Sequence, residues 1–538
     1  MGFGKVKAAL LSLNLIVGTP ASNPLSCTKD IFASLTLDAI HVASLNVTAA
    51  SGLPISGYLS TDDDTGRRRQ MPLTVDICLV TLTYTHPGTG DNVHTYIGLP
   101  LDAENWNSRF LMDGGGGWVA GGQEQVLTPV GLGYVSSSTD GGHNASVTTA
   151  EWGLKAPGKT NWPALEDFAS RALHEAALLG KMAIKLYYKS EPRYSYWNGC
   201  STGGRQGHMM AQNYPELFDG IVGAAPAINW DKFITAEFWG AFMANILVRT
   251  DVQPPSCVFS AFRDAAIKAC DLLDGVKDNI IALPGQCHFR ASSIIGETVD
   301  CIEPNGKITI TKKMSDLVQA MWDGPRSAEG KFEWYGFHQD TNLSAILSPS
   351  CTSVDSCTMV PFSIADDWVK VFLERNANFD TETLTLQDYT RLFHQSVDQY
   401  ASIIGTENPD LTKLKRVGTK MITWHGMQDQ LIMTNGTVDY YNRVMSGDPD
   451  VADYYRFFLA PGVQHCHSGA GFDPSATTFD VLRSWVENGT VPETLKATAA
   501  AVGSSNTSST RTGNLCLYPK VFTYTGDDPN EASSFSCV

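Results

Sequence analysis

Gly199-Cys200-Ser201-Thr202-Gly203 is the one G-x-S-x-G in the chain. A serine in a glycine turn, with a strand-like segment before it and a helical one after, is placed to act as a nucleophile. The glycines let strand and helix approach without Cβ clashes. A serine hydroxyl needs a base to take its proton, and the base needs an acid to fix its tautomer. Two downstream segments offer them, acid first and histidine second. Lys420-Met-Ile-Thr-Trp-His-Gly-Met-Gln-Asp429 is an apolar run ending in H-G-x-x-D, and Ala460-Pro-Gly-Val-Gln-His465-Cys466 is a turn after another. Asp429 is the expected acid and His465 the expected base. The rival bases are His467, His425 inside the acid motif, and His174 and His208 on helical segments. The chemistry is acyl transfer in two steps, through an acyl-enzyme that water then hydrolyses. Such chemistry requires an oxyanion hole. One donor is expected at the N–H of Thr202, the residue after the nucleophile. The other is expected from the glycine loop 114–117, at Gly115 or Gly116, and such a donor contributes about 3–4 kcal/mol in the transition state. No organic cofactor is needed.

Cys200 precedes the nucleophile and Cys466 follows the base. A bridge between them would pin the serine turn to the histidine loop. For a loop of roughly 265 residues the chain-entropy model gives about 5–6 kcal/mol, an upper figure because other bridges shorten the loop. The alternative is that each cysteine pairs elsewhere.

Short strands are expected at 109–112, 133–137, 194–198, Gly220–Ala224, 420–424 and 454–459, and helices at 168–188, 205–213 and 478–487. Strand, glycine turn, helix and strand over 194–224 make a parallel βαβ unit, which defines an α/β chain. Nucleophile, acid and histidine in that chain order match an α/β-hydrolase core. Between about 230 and 417 the β/α rhythm is lost, and six cysteines and aromatic clusters fill the stretch. That stretch reads as one insertion into a core made of 23–229 and 418–538. The Ala/Ser/Thr-rich segment 497–512 reads as a loop, with Cys516 and Cys537 tying down the tail.

The 538 residues are 43% hydrophobic and 18% charged, a globular composition with no tendency to disorder. A net charge of −17 argues against nucleic-acid or anionic-membrane partners, and no internal apolar run is long enough to span a bilayer. Lys5 and Lys7, the apolar run from Ala8 to Gly18, and Thr19-Pro-Ala21 form a secretory signal peptide over 1–22. Twelve cysteines without a C-x-x-C pair read as disulfides, and sequons begin at Asn46, Asn144, Asn342, Asn435, Asn488 and Asn506. The expected protein is secreted, extracellular and oxidised.

Asp271-Leu-Leu-Asp274-Gly-Val-Lys-Asp278-Asn-Ile280 sets three carboxylates around a glycine turn. By residue type this is either a solvated acidic turn or a set of hard oxygen ligands for Ca²⁺, without EF-hand spacing.

Taken together these residues resemble the tannase/feruloyl esterase family of secreted serine esterases, marked by a CS…D…HC arrangement, here Cys200-Ser201, Asp429 and His465-Cys466. Asp113-Gly-Gly-Gly-Gly-Trp118, Thr139-Asp-Gly-Gly-His143, Cys200-Ser-Thr-Gly-Gly-Arg-Gln-Gly207 and Cys270-Asp-Leu-Leu-Asp-Gly275 resemble family segments in family order. The resemblance spans nearly the whole chain after residue 22. It implies that 230–417 is a lid domain over the acyl pocket. It also implies that the acidic loop holds a structural Ca²⁺ through Asp271, Asp274 and Asp278 and the carbonyls of Val276 and Ile280. The implied substrate is a small aromatic ester, or a plant polyphenol or polysaccharide ester. The Ser-Thr-Gly-Gly-Arg-Gln-Gly string leans towards feruloyl-type (hydroxycinnamoyl) members, while Ser293-Ile-Ile-Gly-Glu297 resembles tannase-type members acting on gallates. An esterase or transferase acting on another aromatic ester or secondary metabolite is the further alternative.

Overall fold

A computed structural model describes residues 26–55, 61–62, 68–69, 74–502 and 510–538. The expected signal peptide and the Asn506 sequon lie outside the described residues. Nine strands form the main sheet: β1 (His41–Pro54), β2 (Thr74–Thr85), β3 (Val93–Pro100), β4 (Arg109–Asp113), β5 (Val135–Thr139), β6 (Tyr194–Cys200), β7 (Gly220–Ala224), β8 (Lys420–Gly426) and β9 (Tyr455–Ala460). Their spatial order is β1-β2-β3-β5-β4-β6-β7-β8-β9. The first three strands and the β3–β5 pair are antiparallel, and every pair from β5 to β9 is parallel.

The residue pattern follows the pairing. Central β5 and β7 are buried at every position, as strands covered on both faces must be. Edge strand β1 has no fully buried residue. Helix α1 (Ala172–Tyr188) packs on the sheet, and Lys189 ends it in the left-handed conformation at φ 57°. Helix α2 (Thr202–Asn213) follows β6, α7 (Thr434–Gly447) follows β8, and α8 (Thr478–Asn488) follows β9. In such a sheet the loops beyond the carboxyl ends of the parallel strands gather into one crevice. The glycine loop after β4, Ser201 after β6, Asp429 after β8 and His465 after β9 all stand there. This is an α/β-hydrolase fold.

Residues between β7 and β8 form α3 (Trp230–Leu247), α4 (Ser256–Cys270), α5 (Lys312–Asp323), α6 (Leu386–Tyr400) and two short hairpins. Three disulfides, Cys257–Cys301, Cys270–Cys287 and Cys351–Cys357, stay within this stretch. Its apolar core also takes in Trp152, Leu165 and Phe168 from the segment before α1, so it is packed onto the rest of the chain rather than folded as a tandem body. Among the described residues, no helix is long and apolar enough to cross a membrane.

Two sequence expectations change. The segment 497–512 is not simply a loop, because Thr494–Ala500 pairs antiparallel with Thr510–Cys516. Alternating buried Leu495, Ala497 and Ala499 give that hairpin its inner face, and small side chains concealed it in the sequence. The Asn435 sequon is half-buried on α7. Its Thr437 is buried, with the hydroxyl 2.9 Å from His425 Nδ1. Asn46, Asn144, Asn342 and Asn488 are exposed.

Candidate active site

Ser201 sits between β6 and α2 at φ 65°, ψ −127°, a strained conformation for a side chain with a Cβ. Its N–H donates to Ala224 O at 3.1 Å, which fastens the turn to β7. The two glycines of the motif are steric necessities. A Cβ on Gly199 would lie 2.4 Å from Gly203 O, and one on Gly203 would lie 3.0 Å from Gly114 Cα. Cys200 is bonded to Cys466, across 266 positions of sequence, so the turn and the histidine loop are covalently joined.

His465 Nδ1 lies 2.8 Å from Asp429 Oδ2, and the His465 N–H donates to Gln430 Oε1 at 3.0 Å. Asp429 is buried. Its Oδ1 accepts the N–H groups of Leu431 and Ile432, both at 2.9 Å. His425 Nε2 stands 3.0 Å from the same Oδ2 that faces His465. Burial opposes the charge on Asp429, but His465 and His425 outweigh it and hold the carboxyl well below the usual carboxylate range. The other rivals lie elsewhere in the fold. His467 is exposed with Nδ1 2.6 Å from Ser468 Oγ, and His174 stacks on Tyr214 at 4.1 Å. His208 is buried between Gly204 O and Tyr455 Oη, and burial pushes it down to about 4.

Ser201 and His465 open onto a cavity of about 330 Å³. The glycine loop forms one wall, and Trp230, Phe233, Ile234, Phe362 and Ile364 of the inserted segment form another. The loop is clamped to α2, because Gln206 Oε1 accepts the Gly115 N–H at 3.0 Å and Thr202 Oγ1 donates to Gly117 O at 2.8 Å. Gly116 N–H donates to Val119 O at 3.0 Å. Both glycines expected as oxyanion donors are therefore occupied, and Gly117 N–H is left without an acceptor among the described residues. Thr202 N–H, in the first turn of α2, is free in the same sense. The sequence reading also missed Glu237, which lines this cavity, is 3% exposed and has no partner for Oε2. The signal was available, since Glu237 falls in the middle of the largely apolar helix Trp230–Leu247, on one stripe with Trp230, Phe233 and Ile234.

In the acidic loop, Asp271 Oδ1 accepts the N–H groups of Asp278 and Ile280, each at 3.2 Å, and Asp274 Oδ1 accepts that of Val276 at 3.1 Å. Asp278 Oδ2 pairs with Arg511 at 2.8 Å, while its Oδ1 is buried without a partner. Burial, with the charges of Asp278 and Asp271, pushes Asp274 up to about 6. Among the described residues, the one group of three ligand-type side chains converging within 4.8 Å is elsewhere, at His86, Asp91 and Asp167. Arg171 already fills that cluster, 2.7 Å from Asp167 and 3.4 Å from Asp91, so it is an ion-pair network.

Comparison with known proteins gives the family and the fold. Residues 78–538 match the family model described as tannase and feruloyl esterase. The chain is 41% identical over 474 residues to a probable feruloyl esterase of Arthroderma benhamiae, covering 86% of each chain. Among solved structures it resembles feruloyl esterase B from Aspergillus oryzae, with a TM-score of 0.73 and 26% identity over 94% of this chain and 98% of that one. It shares its fold with the tannin acyl hydrolase from Aspergillus niger, with a TM-score of 0.82 and 24% identity over 95% of each. With a match that begins in β2 and runs to the last residue, through every segment that forms the crevice, the chain belongs to the tannase and feruloyl esterase family of carboxylic ester hydrolases.

Proposed function

We propose that the protein hydrolyses esters of phenolic acids, hydroxycinnamoyl (feruloyl-type) esters of plant material before galloyl esters, through an acyl-enzyme on Ser201. The observation that carries this reading is the Asp429–His465 pair, tied by Cys200–Cys466 to the strained Ser201 at the mouth of an apolar cavity. Ser201 Oγ attacks the ester carbonyl while His465 Nε2 takes its proton, and Asp429 holds Nδ1 and balances the imidazolium. The oxyanion rests on the N–H groups of Thr202 and Gly117. His465 then gives its proton to the departing alcohol and activates the water that releases the acid. The 230–417 segment acts as a lid that supplies the walls of the acyl pocket. An apolar wall favours a planar aromatic acid with few hydroxyls over a galloyl group, whose three hydroxyls would each need a partner.

The same reading makes the protein secreted and glycosylated, with 1–22 as its signal peptide. It gives the acidic loop a structural Ca²⁺, held by Asp271, Asp274 and Asp278 with the carbonyls of Val276 and Ile280. The buried, unpartnered Asp278 Oδ1, and the charges of Asp278 and Asp271 that add to burial in pushing Asp274 up, support a cation there. Bound calcium would supply charge neutralisation and loop order, not chemistry.

The test is a panel of methyl ferulate, propyl gallate and p-nitrophenyl acetate with wild type and Ser201→Ala. Wild type should turn over methyl ferulate with the highest kcat/KM, and Ser201→Ala should lose at least about 10³-fold on every ester. Preference for propyl gallate would reverse the substrate assignment.

A further inference from the structure

Along α3, Trp230, Phe233, Ile234 and Glu237 fall at i, i+3, i+4 and i+7, one stripe of the helix, and all four line the cavity beside Ser201. Glu237 is the one ionisable side chain that the inserted segment contributes to the cavity wall. It stands two turns, about 10 Å, along the helix from Trp230. Its Oε2 is buried and makes no hydrogen bond among the described residues, and neither oxygen is ion-paired. A carboxyl desolvated without a partner is unfavourable, and no hydrogen bond within the described residues offsets it. A structural role would show a partner within the protein. A ligand-binding role leaves the partner to the substrate.

We propose that Glu237 is the acyl-pocket residue that hydrogen-bonds a ring hydroxyl of the substrate, and that it selects aryl acids with a single exposed hydroxyl. This rests on the reading of the crevice as an acyl pocket and names the feature that pocket recognises. Burial, with the charge of Asp429, pushes the Glu237 carboxyl well above the usual carboxylate range, which favours its neutral form. A neutral carboxyl offers one O–H donor and one carbonyl acceptor, matched to one phenolic hydroxyl. Three adjacent hydroxyls would outnumber what this wall can satisfy.

The experiment compares kcat/KM for methyl 4-hydroxycinnamate, methyl 3-hydroxycinnamate and methyl cinnamate in wild type, Glu237→Gln and Glu237→Met. In wild type at least one hydroxylated ester should exceed methyl cinnamate by about tenfold or more, since a site built for a hydroxyl rejects the analogue lacking it. Glu237→Gln keeps a neutral donor and acceptor and should keep that ratio within about threefold. Glu237→Met keeps the length but not the polarity and should bring the ratio to about one. An unchanged ratio in Glu237→Met overturns the proposal while leaving the ester hydrolase reading intact. Failure of wild type to hydrolyse any of the three esters overturns that reading instead. Competitive inhibition of the wild-type enzyme by 4-hydroxycinnamate, 3-hydroxycinnamate and cinnamate needs no variant. At least one hydroxylated acid should bind about tenfold tighter than cinnamate, and equal inhibition by all three contradicts the proposal.

Discussion

Asp429 Oδ2 faces two histidines, His465 on one side and His425 on the other, while Oδ1 takes two backbone N–H groups. Asp429 could be singled out from H-G-x-x-D after an apolar run, and His465 from its turn beside Cys466. The sequence could not show that the histidine of H-G-x-x-D turns onto the aspartate, because that depends on Thr437 anchoring its other nitrogen from α7. Nor could it show which loop glycines are free. Gln206 and Val119 claim Gly115 and Gly116, and those contacts exist only in the folded crevice. At this scale His425 is a positioning residue. His425→Ala removes one of four hydrogen bonds to the carboxylate and leaves three. It should lower kcat about tenfold with KM within twofold, whereas His467→Ala should leave both unchanged. Steady-state kinetics on methyl ferulate checks both. A rise in KM without loss of kcat would place His425 outside the chain of contacts that aligns His465.

At the scale of elements, β4, β7, β8 and β9 were legible because strands buried on both faces read as short continuous apolar runs, whereas buried β5 is Val135-Ser-Ser-Ser-Thr139. The structure extends β6 to Cys200, next to Ser201, and β8 to Gly426, three residues before Asp429. Strands β1–β3 left a weaker trace. Edge strand β1 turns only the half-buried Leu45, Val47, Ala50 and Leu53 to the core, and the alternation in β2 changes phase at Ile77-Cys78, two adjacent buried residues. The acidic loop is the element whose role is most open to measurement. It follows α4 within the insertion, and its Asp278 reaches Arg511 in the C-terminal hairpin. If the loop holds Ca²⁺, a chelator should lower the melting temperature by several degrees and added calcium should restore it by mass action. Asp274→Asn should melt at the chelated temperature and ignore the chelator. Equal melting curves with and without chelator, in protein that metal analysis finds free of calcium, would leave Arg511 as the partner of Asp278 and the loop without an ion.

Across the whole molecule the crevice draws on parts distant in sequence. The insertion supplies one wall, the sheet supplies the serine, acid and histidine, and Cys200–Cys466 joins two of those across 266 positions. The adjacency of Cys200 to Ser201 and of Cys466 to His465 was visible in the sequence, but the bond is a property of the fold. The shared apolar core of insertion and body, with Trp152 and Phe168 among insertion aromatics such as Trp368 and Phe372, was not visible. The insertion was read by its loss of β/α rhythm, which says where it starts and stops but not what it packs on. The central claim is that Ser201 is the nucleophile, held beside His465 by that bridge. The most direct measurement is to label the protein with a fluorophosphonate, digest it without reduction and sequence the labelled fragment by mass spectrometry. The account expects the phosphonyl group on Ser201, in one disulfide-linked fragment that also contains His465, with loss of ester hydrolysis in proportion to labelling. A label on any other residue, or no label in protein that still hydrolyses methyl ferulate, would contradict it.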